Sequence, residues 1–150
     1  MGLWQAMGLL GLLWLAVVFD WRQRRIPNRL LAPAAALALA LAWQAGGWRG
    51  AQGLAQALGA GAAVAAVFAP LYLLRQLGGG DLKLLATVGL WVGLPQVLAL
   101  SLSVAMAGGL QALLWRLRAP SEENRMPYAL AIALGTAVHP WLPMAAVAAH

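Results

Sequence analysis

Several residue types are missing or scarce in this chain, and each absence excludes a class of chemistry. The 150 residues include no cysteine, which excludes disulfides, zinc–thiolate sites and cysteine nucleophiles. The two histidines, His139 and His150, are too few and too poorly spaced for a histidine-built metal site. We therefore expect neither a metal nor a cofactor.

Charged residues are scarce as well. They make up 9% of the chain, against about 25% in an ordinary soluble domain, while 63% of the residues are apolar. The mean hydropathy is +0.76. A soluble domain of this length leaves too much of its surface exposed to hide so many apolar side chains from water. The composition therefore predicts an integral membrane protein.

Six apolar runs predict an all-α bundle of about six transmembrane helices, forming a single membrane-embedded domain over residues 1–150. The runs are Leu3–Phe19, Leu30–Ala45, Gly53–Leu74, Leu84–Leu94, Gln96–Trp115 and Pro127–Ala149. The fourth run would make a helix of only about 16 Å, whereas the hydrocarbon core of a bilayer is about 30 Å thick. We expect the fourth helix to be short or broken.

The basic residues predict the orientation in the membrane. If all six runs cross, nine Lys and Arg residues lie on one side and Arg49 alone lies on the other. The positive-inside rule makes the nine-residue side cytoplasmic, so both termini are expected outside the cytoplasm. This placement accounts for the net charge of +6 by topology and by attraction to anionic lipids at the cytoplasmic face, and not by nucleic-acid binding.

Two of the four acidic residues, Asp20 and Asp81, stand at the cytoplasmic edge of apolar runs, whereas Glu122 and Glu123 lie in a polar loop. A carboxylate at the centre of a membrane helix costs about 2.5–3.5 kcal/mol on insertion scales, and less at the edge. Either aspartate alone would be explained by capping a helix or by pairing with a basic neighbour. Two at the same depth favour a paired-carboxylate site.

Paired carboxylates share a proton, so that one accepts a proton from water while the other donates one to a carbonyl oxygen or a leaving amine. This is the chemistry of peptide hydrolysis by direct attack of water. The sequence has no Gly-x-Ser-x-Gly and no His-Glu-x-x-His motif for the competing hydrolytic mechanisms. The residues therefore favour an aspartyl membrane protease.

Three segments resemble the type IV prepilin peptidases, membrane aspartyl proteases of the Gly-x-Gly-Asp class. The first is Asp20-Trp-Arg-Gln-Arg-Arg-Ile-Pro-Asn28, and the second is Gly78-Gly-Gly-Asp-Leu-Lys83. The third is Met126-Pro-Tyr-Ala-Leu-Ala-Ile-Ala-Leu-Gly135. A lone Gly-x-Gly-Asp is a weak signal, but three motifs in order on one membrane side form a strong one.

The resemblance implies that Asp20 and Asp81 are the catalytic pair. It also implies a multi-pass protein of the bacterial inner membrane that cuts the short leader of a prepilin or pilin-like helix at the cytoplasmic face. Because the zinc-binding cysteines of larger members are missing, the chain looks like the short form that serves tight-adherence (Flp-type) pili. Archaeal preflagellin peptidases are a close neighbour, and the motifs leave that alternative open.

The same resemblance marks further motif positions as supporting residues: Arg22, Pro27, Asn28, Gly78, Gly80, Lys83, Pro127, Tyr128 and Gly135. Several have a simpler structural interpretation. Asn28 is placed to cap the second helix, and Pro127 suits the first turn of the last. Lys83, two residues from Asp81, points elsewhere on a helix and is expected to reach the lipid headgroups. Tyr128 fits an interfacial belt.

Two other classes of protein compete with a protease. A small proton-coupled transporter would place its ionisable residues near the membrane midplane and at a repeat interface, but no repeat is visible here. A non-catalytic assembly subunit needs only the apolar bundle and leaves both aspartate motifs unexplained. Replacing each aspartate by asparagine distinguishes the three classes.

Overall fold

The computed structural model describes residues 3–23, 26–45, 50–118 and 128–138, and all its regular elements are helices. They are α1 (Leu3–Gln23), α2 (Asn28–Ala45), α3 (Gly50–Leu73), α4 (Gly79–Val92), α5 (Val97–Arg118) and α6 (Tyr128–Val138). A short 3₁₀ turn, Leu94–Gln96, joins α4 to α5. The predicted all-α membrane fold is confirmed. The single domain over residues 1–150 stays a prediction.

Three helices of the described part are long and apolar enough to cross a membrane. Their apolar stretches are Ala6–Gln23, Gln52–Leu73 and Leu94–Leu117. Large apolar side chains such as Trp14, Leu98 and Leu117 are exposed on the outside of the bundle, as lipid-facing residues are. That all six helices cross, and in which direction, stays a prediction. The second half of the last predicted span, from His139 onward, lies outside the described residues.

The fourth helix is short, as expected. It has 14 residues, which corresponds to about 21 Å at 1.5 Å per residue. It begins at Gly79, so it takes in Asp81 and Lys83, which the apolar run Leu84–Leu94 leaves out. It ends at Val92 and is followed by Gly93, which adopts a positive φ of 79° that is readily available only to glycine.

Two glycines let helices approach closely enough to form the core. A Cβ added at Gly89 of α4 would lie 2.9 Å from the Ala60 carbonyl oxygen of α3. A Cβ added at Gly135 of α6 would lie 2.5 Å from the Cα of Val104 in α5. In membranes, small residues at helix contacts let the backbones approach closely, and the resulting van der Waals packing drives association. They bring α3 to α4 and α5 to α6, the two helix pairs with the most extensive contact.

The Gly135 contact gives a prediction about stability. Gly135→Ala must push α5 and α6 apart or strain the backbone, and overpacking of this kind costs about 1–3 kcal/mol. Gly109→Ala is the matched control, because nothing lies within 4 Å of a Cβ added there. We expect a clearly lower thermal unfolding midpoint in detergent for the Gly135 variant only. Equal midpoints for the two variants would contradict the close packing of α5 on α6.

Candidate active site

Asp20 lies in the last turn of α1 and is buried, with 8% of its surface exposed. Its Oδ2 accepts a hydrogen bond of 3.2 Å from the backbone N–H of Ala129. Ala129 is the second residue of α6, so this N–H belongs to the first turn and has no acceptor within its own helix. A carboxylate at a helix N-terminus is also favoured by the helix dipole. The first motif is thereby joined to the third.

Asp81 lies in the first turn of α4, directly after the glycine run. Its carboxyl group folds back over Gly78, where an added Cβ would lie 2.8 Å from Asp81 Oδ2. The Gly78 carbonyl accepts the N–H of Leu82 at 3.1 Å, which starts the helix. Gly78 therefore provides both the beginning of α4 and the open space that the carboxyl group occupies.

The two aspartates, which lie 61 positions apart in the sequence, come together in the fold. Their carboxyl groups are close enough to interact electrostatically. Asp81 interacts in the same way with Tyr128 of the third motif. Two interacting carboxyl groups titrate as a pair, so one can accept a proton while its neighbour donates one.

The second motif also packs directly on the end of the first. A Cβ added at Gly80 would lie 3.3 Å from Ile26 Cβ and 3.4 Å from Ile26 N. One turn further along α4, Lys83 Nζ donates a 3.1 Å hydrogen bond to Asn28 Oδ1. Asn28, which was expected to cap α2, is its first residue, and its Oδ1 accepts the Lys83 hydrogen bond. The expectation that Lys83 reaches the lipid headgroups does not include this contact.

Tyr128 packs into the bundle. That it lies at the level of the membrane interface stays a prediction. Its side chain is half-buried against the core, and its hydroxyl group lies against Gly108 of α5, leaving no room for a Cβ there. Gly108 was not expected to belong to the site. The sequence signal for it is its position in a glycine pair, Gly108-Gly109, within an apolar helix.

The remaining sequence-predicted residues lie at the end of α1, before α2 or in α6, or lie outside the described part of the chain. Arg22 is exposed in the last turn of α1, and Pro27 is half-buried just before α2. Gly135 lies two turns beyond Ala129 and serves helix packing, as described above. Pro127, Glu122 and Glu123 lie outside the described residues.

Side chains that bind metals are sparse around the aspartates. No group of three or more His, Cys, Asp or Glu side chains occurs within the ranges that the structure describes. Asp20 and Asp81 are the acidic residues of those ranges. The chemistry that the arrangement supports is thus that of the carboxyl groups themselves.

Comparison with known proteins agrees with the first two motifs. The model of the type IV leader peptidase family matches residues 7–113, which include both aspartates and the first two motifs. The third motif lies beyond the matched part. Searches of curated proteins and of solved structures give no match. Since the family match spans more than half of the chain, the protein belongs to the type IV leader peptidase family.

Proposed function

We propose that the protein is an aspartyl endopeptidase that removes the short leader of type IV prepilins or pilin-like proteins of the Flp type. Membership of a leader peptidase family supports the protease class. The observation that carries the aspartyl mechanism is the meeting of Asp20 and Asp81, two carboxyl groups from distant segments that interact electrostatically.

In the proposed reaction, a water molecule lies between the two carboxyl groups and the scissile carbonyl carbon. One carboxylate accepts a proton as the water attacks, and the other carboxyl group, protonated, donates to the carbonyl oxygen. The tetrahedral intermediate then collapses, its C–N bond breaks, and a proton is delivered to the leaving amine. No covalent enzyme intermediate is formed, which agrees with the lack of a cysteine nucleophile.

The proposed site faces the cytoplasm from the bacterial inner membrane, with both termini on the other side. The basic residues support this orientation, because Arg22, Arg29, Arg75, Lys83 and Arg116 are all exposed at the helix ends nearest the aspartate level. Exposed basic side chains at one membrane face attract anionic lipid headgroups. A prepilin helix that lies in the same membrane would present its leader junction at this face.

Substitution of each aspartate tests the mechanism. We expect Asp20→Asn and Asp81→Asn each to abolish leader cleavage, whereas Glu122→Gln and Glu123→Gln retain it. Asparagine keeps an oxygen that can accept the Ala129 N–H, so the Asp20 variant should remain folded while losing the charge that catalysis needs. The measurement is intact mass of tagged prepilins co-expressed with each variant, with membrane levels of the protease checked in parallel.

Two results would count against this function. Cleavage that survives either asparagine substitution would exclude the two-aspartate mechanism. A panel of prepilins that the wild-type protein leaves uncut, at normal membrane levels, would favour a non-catalytic role in assembly. If the wild-type protein shows substrate-driven proton flux and the asparagine variants lose it, the protein is instead a transporter.

The glycines before Asp81 give a sharper test, because they differ in what surrounds them. Gly78→Ala puts a methyl group where the Asp81 carboxyl group lies, so we expect cleavage to fall by about tenfold or more, as a misplaced catalytic group does. Gly79→Ala is the control: its Cβ would make an ordinary 3.5 Å contact with Tyr72. Initial rates of leader cleavage at equal protein levels measure both. Equal rates for the two variants would show that Gly78 does not shape the site.

A further inference from the structure

Lys83 and Asn28 form a hydrogen bond that crosses the site from the second motif to the first. Lys83 Nζ donates to Asn28 Oδ1 at 3.1 Å, across 55 positions of the sequence. Both side chains are exposed, and exposed polar pairs contribute little to global stability. A contact of this kind, two residues from Asp81, therefore calls for an explanation other than holding the bundle together.

The bond adds to a second contact between the start of α4 and residues 26–28, which lead into α2. Gly80 and Lys83 stand three positions apart, on one face of α4. Gly80 lies against Ile26, and Lys83 bonds to Asn28. Their partners flank Pro27, whose ring fixes φ and stiffens this segment. Two points of contact on a stiff partner fix the orientation of the first turn of α4 more closely than one contact would.

The Lys83 backbone is also held in place within its own helix. Thr87, a buried residue of α4, donates its hydroxyl proton to the Lys83 carbonyl oxygen at 2.8 Å. The next residues along the helix, Leu84 and Leu85, are fully buried in the core. Lys83 thus belongs to a firmly packed stretch of helix. Its hydrogen bond to Asn28 therefore constrains the position of the turn that carries Asp81 relative to Asn28.

We propose that Lys83 is a positioning residue: through its hydrogen bond to Asn28 it holds the first turn of α4, and with it Asp81, in register with the end of α1 that carries Asp20. This inference rests on the proposed function. It differs from lipid anchoring, in which Lys83 would act without Asn28, and from a direct effect of its charge on Asp81, for which Asn28 would again be irrelevant.

A double-mutant cycle separates these roles. Lys83→Met removes the donor, Asn28→Ala removes the acceptor, and the double variant removes both. We expect each single variant to lower kcat for leader cleavage by about tenfold with little change in KM, since a small misplacement of catalytic groups has effects of this order. The double variant should be no slower than either single one.

The conservative variants complete the cycle. Lys83→Arg and Asn28→Asp each keep a donor or an acceptor at the site, and both should retain most of the wild-type kcat. Arg29→Met removes an exposed positive charge beside Asn28 without touching the bond, and controls for loss of charge at the cytoplasmic face. Additive losses in the double variant, or a Lys83→Met defect with normal activity of Asn28→Ala, would overturn the proposal.

A distance measurement tests the positioning independently of activity. Because the chain has no cysteine, spin labels can be attached specifically at Gln23→Cys, at the end of α1, and Gln76→Cys, between α3 and α4. Both positions are exposed. We expect the label–label distance distribution to broaden in Lys83→Met and in Asn28→Ala, but not in Arg29→Met. An unchanged distribution would overturn the proposal, whereas absence of cleavage by the wild type would overturn only the proposed function.

Discussion

The structure depends on keeping a carboxyl group, Asp20, inside an apolar bundle. Burying such a group is costly unless it is hydrogen-bonded, and the partner here is the backbone N–H of Ala129 at the beginning of α6. That N–H lacks a helical acceptor of its own, so the contact gives both groups a hydrogen-bond partner. The need for this contact ties the end of α1 to the start of α6, and with it the first motif to the third.

The second motif is brought to the same place by packing. Glycines remove the side chains that would keep the elements apart: Gly89 lets α4 approach α3, and Gly80 lets its first turn approach Ile26. Gly78 leaves space for the Asp81 carboxyl group itself. In a membrane, where apolar side chains gain little by leaving lipid for one another, such close contact is a principal source of helix association. The glycines of the motif are thus part of the scaffold as much as of the site.

Much of this was readable from the sequence, because hydropathy and charge act locally. The apolar runs predicted the helices and the short fourth one, and the two acidic residues at one depth predicted a pair. The apolar run that indicates α4 begins five residues after the helix itself, because the start of the helix contains two glycines and the charged Asp81 and Lys83. The Lys83–Asn28 bond and the Tyr128–Gly108 contact were not predictable, because they join residues whose proximity arises only when several helices pack together.

We propose that Asp20 and Asp81 act as one catalytic unit that shares a proton. The pH dependence of kcat/KM for leader cleavage tests it most directly, because it reports the ionisations of the free enzyme that the reaction requires. A shared proton gives a bell-shaped profile, with one limb for loss of the required carboxylate and the other for loss of the required carboxylic acid. A rate that rises through a single ionisation to a plateau would contradict a shared proton.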